Sequence, residues 1–122
     1  MLKVLIVDDS RIFRKILRTV FEENGHQIIG EAGNGAEALE LLKEINPDLI
    51  TLDITLPVMD GIEALKHIKE DYPDPKVVMV SAAGQKTKII EALKLGADDF
   101  IQKPFEPESI ALVIKKLFPD EK

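Results

Sequence analysis

The chain has 122 residues, 45% of them hydrophobic and 31% charged, and its 16 basic and 22 acidic side chains give a net charge of -6. This length fits one domain with a single core, and the hydrophobic fraction excludes a disordered tail. The acidic balance disfavours a nucleic acid as partner, because affinity for phosphates comes mainly from lysine and arginine.

The sequence predicts neither a membrane span nor export. The longest apolar run, Ile110 to Ile114, has five residues, whereas a bilayer span needs about 20. Met1-Leu2-Lys3 leads directly into a strand-like segment, so we expect no secretory leader. The absence of cysteine excludes disulfides and thiolate metal sites. We therefore expect a cytoplasmic protein with no membrane partner.

The first predicted elements are a strand, a helix and a second strand. Lys3–Asp8 is apolar on both faces, which is typical of a central strand in a parallel sheet covered by helices. Ser10 can cap a helix over Arg11–Glu23, and Gly25 lies just past its end as a stop signal. Gln27–Ala32 has the pattern of the next strand.

The same alternation continues through the middle of the chain. A Gly-Asn-Gly turn at 33–35 leads into a predicted helix over Ala36–Ile45, which ends before Pro47. A strand over Asp48–Asp53 follows. After a loop that contains proline and glycine, a third helix is predicted over Ile62–Asp71.

The last third of the chain predicts two more strands, each followed by a helix. The strand over Lys76–Ser81 precedes a helix over Lys86–Leu95, and a short strand over Asp99–Gln102 comes next. The final helix has Pro107 near its start. Its buried stripe is predicted to comprise Ile110, Ile114, Leu117 and Phe118.

Five strand–helix units fill the chain without a repeat or linker. A parallel sheet with helices on both faces accommodates this alternation. We therefore predict an α/β fold, a doubly wound (βα)5 parallel sheet of five strands, with residues 1–122 forming one domain. Because the last predicted helix uses the chain up to Phe118, we expect no output domain.

Side chains suited to chemistry lie at the carboxyl ends of four predicted strands. Asp8 and Asp9 follow the first strand, Asp53 ends the third, Ser81 ends the fourth and Lys103 follows the fifth. Ligands of open α/β sheets bind beyond the carboxyl ends of the strands. We therefore expect these five side chains to converge at one edge of the sheet.

Three neighbouring carboxylates require a cation, because like charges at close range raise one another's pKa. Mg²⁺ is the natural candidate, since it takes oxygen ligands and commonly uses one or two carboxylates with water and a phosphate oxygen. Helix capping is the alternative explanation for Asp8 and Asp9 taken alone. Asp53 and Lys103 at matching strand ends favour the metal site.

This set of residues suits phosphoryl transfer. An aspartate can attack phosphorus and form an aspartyl phosphate. Such transfers depend on positioning and on cancelling charge at the phosphoryl oxygens, which a metal, a lysine and a hydroxyl can do together. Lys103 would neutralise an oxygen that the metal does not reach, and Ser81 would donate a hydrogen bond to another.

Four segments of the sequence resemble response-regulator receiver domains, and they look most like the single-domain chemotaxis regulators of the CheY type. The resemblance covers essentially the whole chain, and the ordered combination of motifs is far more specific than any one of them. It implies a flavodoxin-like fold with strand order 2-1-3-4-5. The segments are VDDS at 7–10, LDITLPVMDG at 52–61, VSAAG at 80–84 and GADDFIQKPF at 96–105.

The resemblance implies a role for each site residue. Asp53 matches the phosphoacceptor and, with Asp9, the Mg²⁺ carboxylates, whereas Asp8 acts mostly through a bound water. Thr55 would lend its backbone carbonyl to the metal. Ser81 matches the switch hydroxyl.

The lysine and the switch aromatic are also assigned by resemblance. Lys103 matches the family's lysine, and its bond to Pro104 is expected to be cis. Phe100 matches the aromatic residue whose rotamer is coupled to the switch hydroxyl, although it replaces a frequent tyrosine and therefore lacks a phenol. Together these residues imply a two-state switch driven by phosphorylation.

The predicted partner face comprises the fourth helix, the fifth strand and the fifth helix. Leu112 falls opposite the buried stripe of the last helix, and Ile89, Phe100 and Val113 are expected near it. An isolated exposed leucine is also ordinary in a soluble protein. The resemblance implies three partners: a histidine kinase as phosphodonor, a flagellar motor switch protein or another target, and a phosphatase. It also implies a monomer that catalyses only its own phosphorylation and dephosphorylation and is not otherwise an enzyme.

Two alternatives stay open. The chain can instead be a phosphorelay intermediate, since no output domain is predicted. It can also be a Mg²⁺-dependent phosphohydrolase with Asp53 as nucleophile. A hydrolase of the haloacid dehalogenase kind would require a second aspartate two residues later, where Thr55 stands, and this argues against turnover.

Two further groups of polar residues carry weaker predictions. The first helix has a basic face, which we interpret as solvated and which, by resemblance, can help to dock the kinase. His26 and His67 lack metal-ligand spacing and are predicted to lie on the surface. The basic face comprises Arg11, Arg14, Lys15 and Arg18.

Overall fold

The computed structural model describes residues 1–121. Five strands and five helices alternate along the chain, as predicted. The strands are β1 (Lys3–Val7), β2 (Gln27–Ala32), β3 (Leu49–Asp53), β4 (Lys76–Ser81) and β5 (Asp99–Gln102). The helices are α1 (Arg11–Glu23), α2 (Gly35–Leu42), α3 (Gly61–Asp71), α4 (Lys86–Lys94) and α5 (Pro107–Leu117).

All five strands run parallel in the order β2-β1-β3-β4-β5, which confirms the flavodoxin-like order. The central strands are buried on both faces, as the continuous apolar run in β1 predicts. Parallel pairing places every strand's carboxyl end at the same edge of the sheet. That edge is the one where the acidic residues were expected.

The sheet separates two apolar cores. One face packs against α2, α3 and α4, through residues that include Ala38, Leu65 and Ala92. The other packs against α1 and α5, through residues that include Phe21 and Ile110. Alternate residues of each strand enter opposite cores because successive side chains in a strand point to opposite faces. The doubly wound arrangement is therefore confirmed.

Side-chain caps fix the starts of three helices. Ser10 accepts a hydrogen bond from the Phe13 N–H at the start of α1, as predicted. Asn34 caps α2 and Asp60 caps α3 in the same way. Each cap satisfies a backbone donor that has no partner within the helix. In the part of the chain that the structure describes, none of the helices is both long and apolar enough to cross a membrane.

Helix α2 is shorter than its sequence pattern predicts. It ends at Leu42, because the Lys43 N–H donates to the Glu40 carbonyl and tightens the chain into a turn. Ile45, which the periodicity placed in the helix, still packs against the core from the following segment. Apolar spacing alone does not distinguish the last turn of a helix from a turn that buries the same side chain.

The predicted surface position of His26 was wrong. His26 is 8% exposed, and its Nδ1 accepts a hydrogen bond from the Leu2 N–H at 3.0 Å. Its ring packs edge-on against Phe21, at the end of the sheet opposite the acidic residues. A histidine that accepts a hydrogen bond from a buried backbone N–H can itself be buried without acting as a metal ligand. His67 is half-buried on α3.

Candidate functional site

The predicted site residues converge at the carboxyl edge of the sheet. Asp8 follows β1, Asp53 ends β3 and Lys103 follows β5. The Lys103 Nζ lies 2.8 Å from Asp8 Oδ2 and 3.0 Å from Asp53 Oδ2. A lysine after the last strand therefore joins the carboxylates of the first and third strands, as the strand-end argument predicts.

Three carboxylates at this edge can hold a metal ion. Asp8, Asp9 and Asp53 each offer one oxygen, and these oxygens lie within 4.8 Å of one another. Asp8 and Asp53 are buried, whereas Asp9 is exposed to solvent. Asp8 Oδ2 is buried, and its one close polar partner among the described residues is the Lys103 ammonium. Buried, incompletely satisfied carboxylate oxygens fit a hard divalent cation.

Burial and mutual repulsion oppose the ionisation of Asp53. Burial raises the pKa of Asp53, and the charge of Asp8 raises it further. The Lys103 ammonium and the Thr55 N–H partly offset this rise in pKa. An additional cation beside these carboxylates would therefore favour the ionised form of Asp53, which is the form that acts as a nucleophile.

Lys103 remains a cation in the site. Its burial lowers its pKa, but the attraction of Asp8 and Asp53 outweighs this effect and leaves the pKa above the usual value. Its ammonium also lies 4.1 Å from the centroid of the Phe13 ring. The Phe13 ring in turn packs against Phe105. A fixed ammonium of this kind can neutralise charge that develops on a bound anion.

Backbone contacts hold Lys103 at the edge of the sheet. Its N–H donates to the Ser81 carbonyl at 2.7 Å, and this bond continues the pairing of β4 and β5. The following bond, Lys103–Pro104, is cis, as the resemblance implies. Phe13 lies in the first turn of α1, and the sequence alone does not distinguish it from a core residue of an amphipathic helix.

The Ser81 hydroxyl is buried and has no hydrogen-bond partner among the described residues. An unpaired hydroxyl in the interior costs free energy, and such a group calls for a functional explanation. It stands at the end of β4, next to the end of β3, with Val80 paired to Asp53 in the sheet. The Ser81 hydroxyl can therefore donate a hydrogen bond to an acceptor that is bound at Asp53.

The loop after β3 is built closely around Asp53. Asp53 Oδ1 accepts a hydrogen bond from the Thr55 N–H at 3.2 Å. Further along the loop, the Gly61 N–H donates to the Ile54 carbonyl. A Cβ on Gly61 would lie 2.0 Å from the Asp53 carbonyl oxygen, so only glycine allows this approach. Asp53 is therefore held by its own loop as well as by Lys103.

Half of the basic face of α1 is engaged in contacts within the domain. Arg14 donates to the Asp8 carbonyl and to Glu31, and Arg18 donates to Glu31 and Glu22. Arg14 thus supports the backbone that carries the first carboxylate. The remaining two basic residues, Arg11 and Lys15, are exposed.

The residues of the predicted partner face surround the open edge of the sheet at β5. Phe100 lies on β5 and is 40% exposed, and Leu112 on α5 is 67% exposed. Ile89 on α4 and Val113 on α5 are partly buried and pack against opposite cores. The structure thus places the four residues on three elements around one edge, and their role in partner binding stays a prediction.

Comparison with known proteins decides the family. Residues 4–115 match the sequence model of the response regulator receiver domain. The chain belongs to this family. The receiver domain is 45% identical to the chemotaxis protein CheY of Thermotoga maritima over 115 residues, which cover 94% of this chain and 96% of that protein. It is therefore a receiver domain of a CheY-like response regulator.

Solved structures agree with this family. The receiver domain matches a crystal structure of NtrX from Brucella abortus with a TM-score of 0.91 and 31% identity, over 98% of this chain and 27% of that longer chain. It also matches the crystal structure of the CheX-CheY-BeF3-Mg+2 complex from Borrelia burgdorferi, with a TM-score of 0.90 and 39% identity, over 95% of this chain and 88% of that one. The predicted family and fold are confirmed.

Proposed function

We propose that this receiver domain is a signalling switch that accepts a phosphoryl group on Asp53 with the help of Mg²⁺. The observation that carries the proposal is the position of Lys103, whose ammonium lies between the carboxylates of Asp8 and Asp53. A cation fixed beside a buried nucleophile and two further carboxylates is suited to phosphoryl transfer. The similarity to CheY proteins supports a role in chemotaxis.

Asp8, Asp9 and Asp53 would hold the Mg²⁺, together with the backbone carbonyl of Thr55. Bound there, the ion would neutralise negative charge on the carboxylates and on the phosphoryl oxygens. The three carboxylate oxygens lie close enough to share one ion. The related CheY from Borrelia burgdorferi occurs in a complex that contains Mg²⁺, and we extend that ion to this site.

In the transfer step, a carboxylate oxygen of Asp53 forms a bond to the phosphorus of the donor. The bond between phosphorus and the donor's leaving atom breaks, and the leaving group takes its electron pair. Lys103 neutralises one phosphoryl oxygen, and the Ser81 hydroxyl donates a hydrogen bond to another. Lys103 and Ser81 stand at the carboxyl ends of neighbouring strands, so the fold already brings both groups to the side of the sheet where Asp53 lies.

The switch follows from the unpaired hydroxyl of Ser81. A phosphoryl group on Asp53 supplies charged acceptor oxygens, which make stronger hydrogen bonds than neutral ones. Ser81 moves toward them, and the Phe100 side chain, which is 40% exposed, turns inward behind it. The surface formed by α4, β5 and α5, with Ile89, Leu112 and Val113, then changes shape and binds a target.

The proposed partners follow from the same similarity. A histidine kinase, or a small phosphodonor, supplies the phosphoryl group, and a flagellar motor switch protein or another target binds the altered surface. A phosphatase acts in the opposite direction, and the related Borrelia CheY is found with CheX. We propose a cytoplasmic monomer that catalyses only its own phosphorylation and dephosphorylation.

The phosphohydrolase alternative is disfavoured by Thr55. The residue two positions after Asp53 would have to act as a general acid and base, whereas a threonine hydroxyl does not ionise near neutral pH. Its Oγ1 also accepts a hydrogen bond from Gln85 Nε2. The phosphorelay alternative uses the same chemistry on Asp53 and differs only in the recipient of the phosphoryl group.

The test is labelling with acetyl phosphate in the presence of Mg²⁺, followed by intact mass spectrometry. We expect one phosphoryl group on the wild type and none on Asp53→Asn. Asp74→Asn, which changes an exposed aspartate in the loop before β4, is the matched control and should label normally. Labelling that persists in Asp53→Asn would contradict the proposed acceptor.

A further inference from the structure

The amide of Gln85 joins the two loops that border the site. Its Oε1 accepts a hydrogen bond from the Ala82 N–H at 2.7 Å, and its Nε2 donates to Thr55 Oγ1 at 2.7 Å. Gln85 precedes α4 as its N-cap residue, yet its side chain makes no capping bond to that helix. The side chain is therefore used for the contact between loops, which we name the Gln85 bridge.

The chemistry of its partners fixes the orientation of this amide. A backbone N–H can only donate, so the atom of Gln85 that faces Ala82 has to be the carbonyl oxygen. The NH₂ group then faces Thr55, whose hydroxyl oxygen accepts. Reversing the amide would place two donors against each other at Ala82. The bridge thus has one stable arrangement.

Both ends of the Gln85 bridge lie next to residues of the site. Thr55 donates its N–H to Asp53 Oδ1. Ala82 directly follows Ser81, the residue with the unpaired buried hydroxyl. The bridge consequently ties the segment after Ser81 to the loop that holds Asp53, over a separation of 30 residues in sequence between Thr55 and Gln85.

We propose that Gln85 is a positioning residue that restrains the Ser81 segment in its resting place, so that phosphorylation of Asp53 has to break the Gln85 bridge. The inference rests on the proposed function. Movement of Ser81 toward the phosphoryl group carries Ala82 with it, because the two residues are covalently adjacent. Ala82 N and Gln85 Oε1 are 2.7 Å apart, so a shift of Ala82 by about 1 Å away from Gln85 takes this contact beyond hydrogen-bonding distance and opens the bridge.

The bridge therefore raises the activation free energy of phosphorylation by about the net free energy of one neutral hydrogen bond. Its removal should accelerate labelling by acetyl phosphate roughly three- to tenfold. Thr55→Val, which removes the hydroxyl and keeps the shape, should have a similar effect. Because both changes break the same contact, the double variant should label no faster than either single variant.

The experiment measures the labelling rate of Gln85→Ala, Gln85→Met, Thr55→Val and the double variant, with acetyl phosphate and Mg²⁺. Gln85→Met retains the length of the side chain and guards against an effect of truncation. Gln27→Ala, at an exposed position at the opposite end of the sheet, is the matched control and should label at the wild-type rate. Hydrogen exchange of the Ala82 amide in the unphosphorylated protein reports the bridge itself and should be faster in both Gln85 variants.

Each outcome decides between the two proposals. Faster labelling of the single variants, without a further gain in the double variant, supports the Gln85 bridge as a restraint. Unchanged or slower labelling contradicts it, even if the Ala82 amide exchanges faster. Failure of the wild type to label at Asp53 would instead contradict the proposed function, and the role of the bridge would fall with it.

Discussion

The ammonium of Lys103 lies 4.1 Å from the centroid of the Phe13 ring while it also contacts Asp8 and Asp53. Phe13 is in the first turn of α1, and Lys103 follows β5. The contact therefore connects the first and last strand–helix units at the site. The Phe13 ring packs against one side of the Lys103 ammonium, and the carboxylates lie within contact distance of the same ammonium.

Phe13→Leu should destabilise the domain and slow labelling of Asp53. Leucine keeps an apolar side chain but has no aromatic face for the ammonium, so we expect a loss of about 1–2 kcal/mol in the free energy of unfolding. Urea denaturation measures this loss. A double-mutant cycle with Lys103→Met should show a coupling of about 0.5–1 kcal/mol, whereas strictly additive effects would show that Phe13 does not act through Lys103.

Asp53→Asn should stabilise the protein at neutral pH in the absence of Mg²⁺. Burial, followed by the charge of Asp8, raises the pKa of Asp53 in the folded state. The folded state therefore binds more protons than the unfolded state between the two pKa values, and the stability contributed by Asp53 is lost as the pH rises through the folded pKa.

We expect the neutral amide of Asp53→Asn to raise the free energy of unfolding by about 1 kcal/mol, which corresponds to roughly 4 °C in Tm. Calorimetry without divalent metal provides the measurement, and the gain should shrink as the pH is lowered toward about 3.9, where an aspartate of the unfolded chain titrates. A variant that is less stable than the wild type at neutral pH would show that the attraction of Lys103 outweighs the burial of Asp53.

Mg²⁺ should raise the Tm of the unphosphorylated protein. Ligand that binds only the folded state stabilises it by about 2.7 kcal/mol at a hundredfold excess over Kd. Asp9→Asn should reduce this stabilisation, because Asp9 contributes one of the three clustered carboxylates. Asp74→Asn should retain it. If Mg²⁺ stabilises Asp9→Asn and the wild type equally, Asp9 is not a ligand of the metal.

The free energy of unfolding of the domain should fall as the pH is lowered below the pKa of an unperturbed histidine. Burial lowers the pKa of His26, the charge of Glu121 partly opposes this, and the terminal amine adds to it. The unfolded state therefore binds more protons below about pH 6.5, and the free energy of unfolding falls by up to about 1.4 kcal/mol per pH unit until the folded pKa is reached.

The matched variant for this effect is His26→Gln, whose amide oxygen can still accept from the Leu2 N–H. Its free energy of unfolding should change less than that of the wild type between about pH 7 and pH 5, a range above the ordinary pKa of carboxyl groups. Urea denaturation at the two pH values makes the comparison. Parallel pH dependences of variant and wild type would exclude His26 as the source.

The main features of the site could be predicted because they depend on topology. Parallel strands place their carboxyl ends at one edge, so the positions of Asp8, Asp53 and Lys103 at strand ends were sufficient to bring them together. Strand order required the family resemblance, since alternation of strands and helices does not fix the side to which each crossover returns.

Contacts that depend on side-chain direction could not be predicted. Phe13 has the spacing of a core residue, and its contact with Lys103 arises only when two distant loops meet. Gln85 stands at the start of a helix, where a polar residue suggests capping, yet its amide bonds to Ala82 and Thr55 instead. His26 was misplaced because its burial depends on a distant backbone donor, the Leu2 N–H, which lies just before β1.

The most direct test of the account is a crystal structure of the protein with Mg²⁺ and beryllofluoride. We expect beryllium bonded to a carboxylate oxygen of Asp53, with the ion held by that carboxylate, Asp9 and the Thr55 carbonyl. Lys103 and the hydroxyl of Ser81 should contact fluorine atoms. An empty site at saturating Mg²⁺ and beryllofluoride, or beryllium bound away from Asp53, would contradict the account.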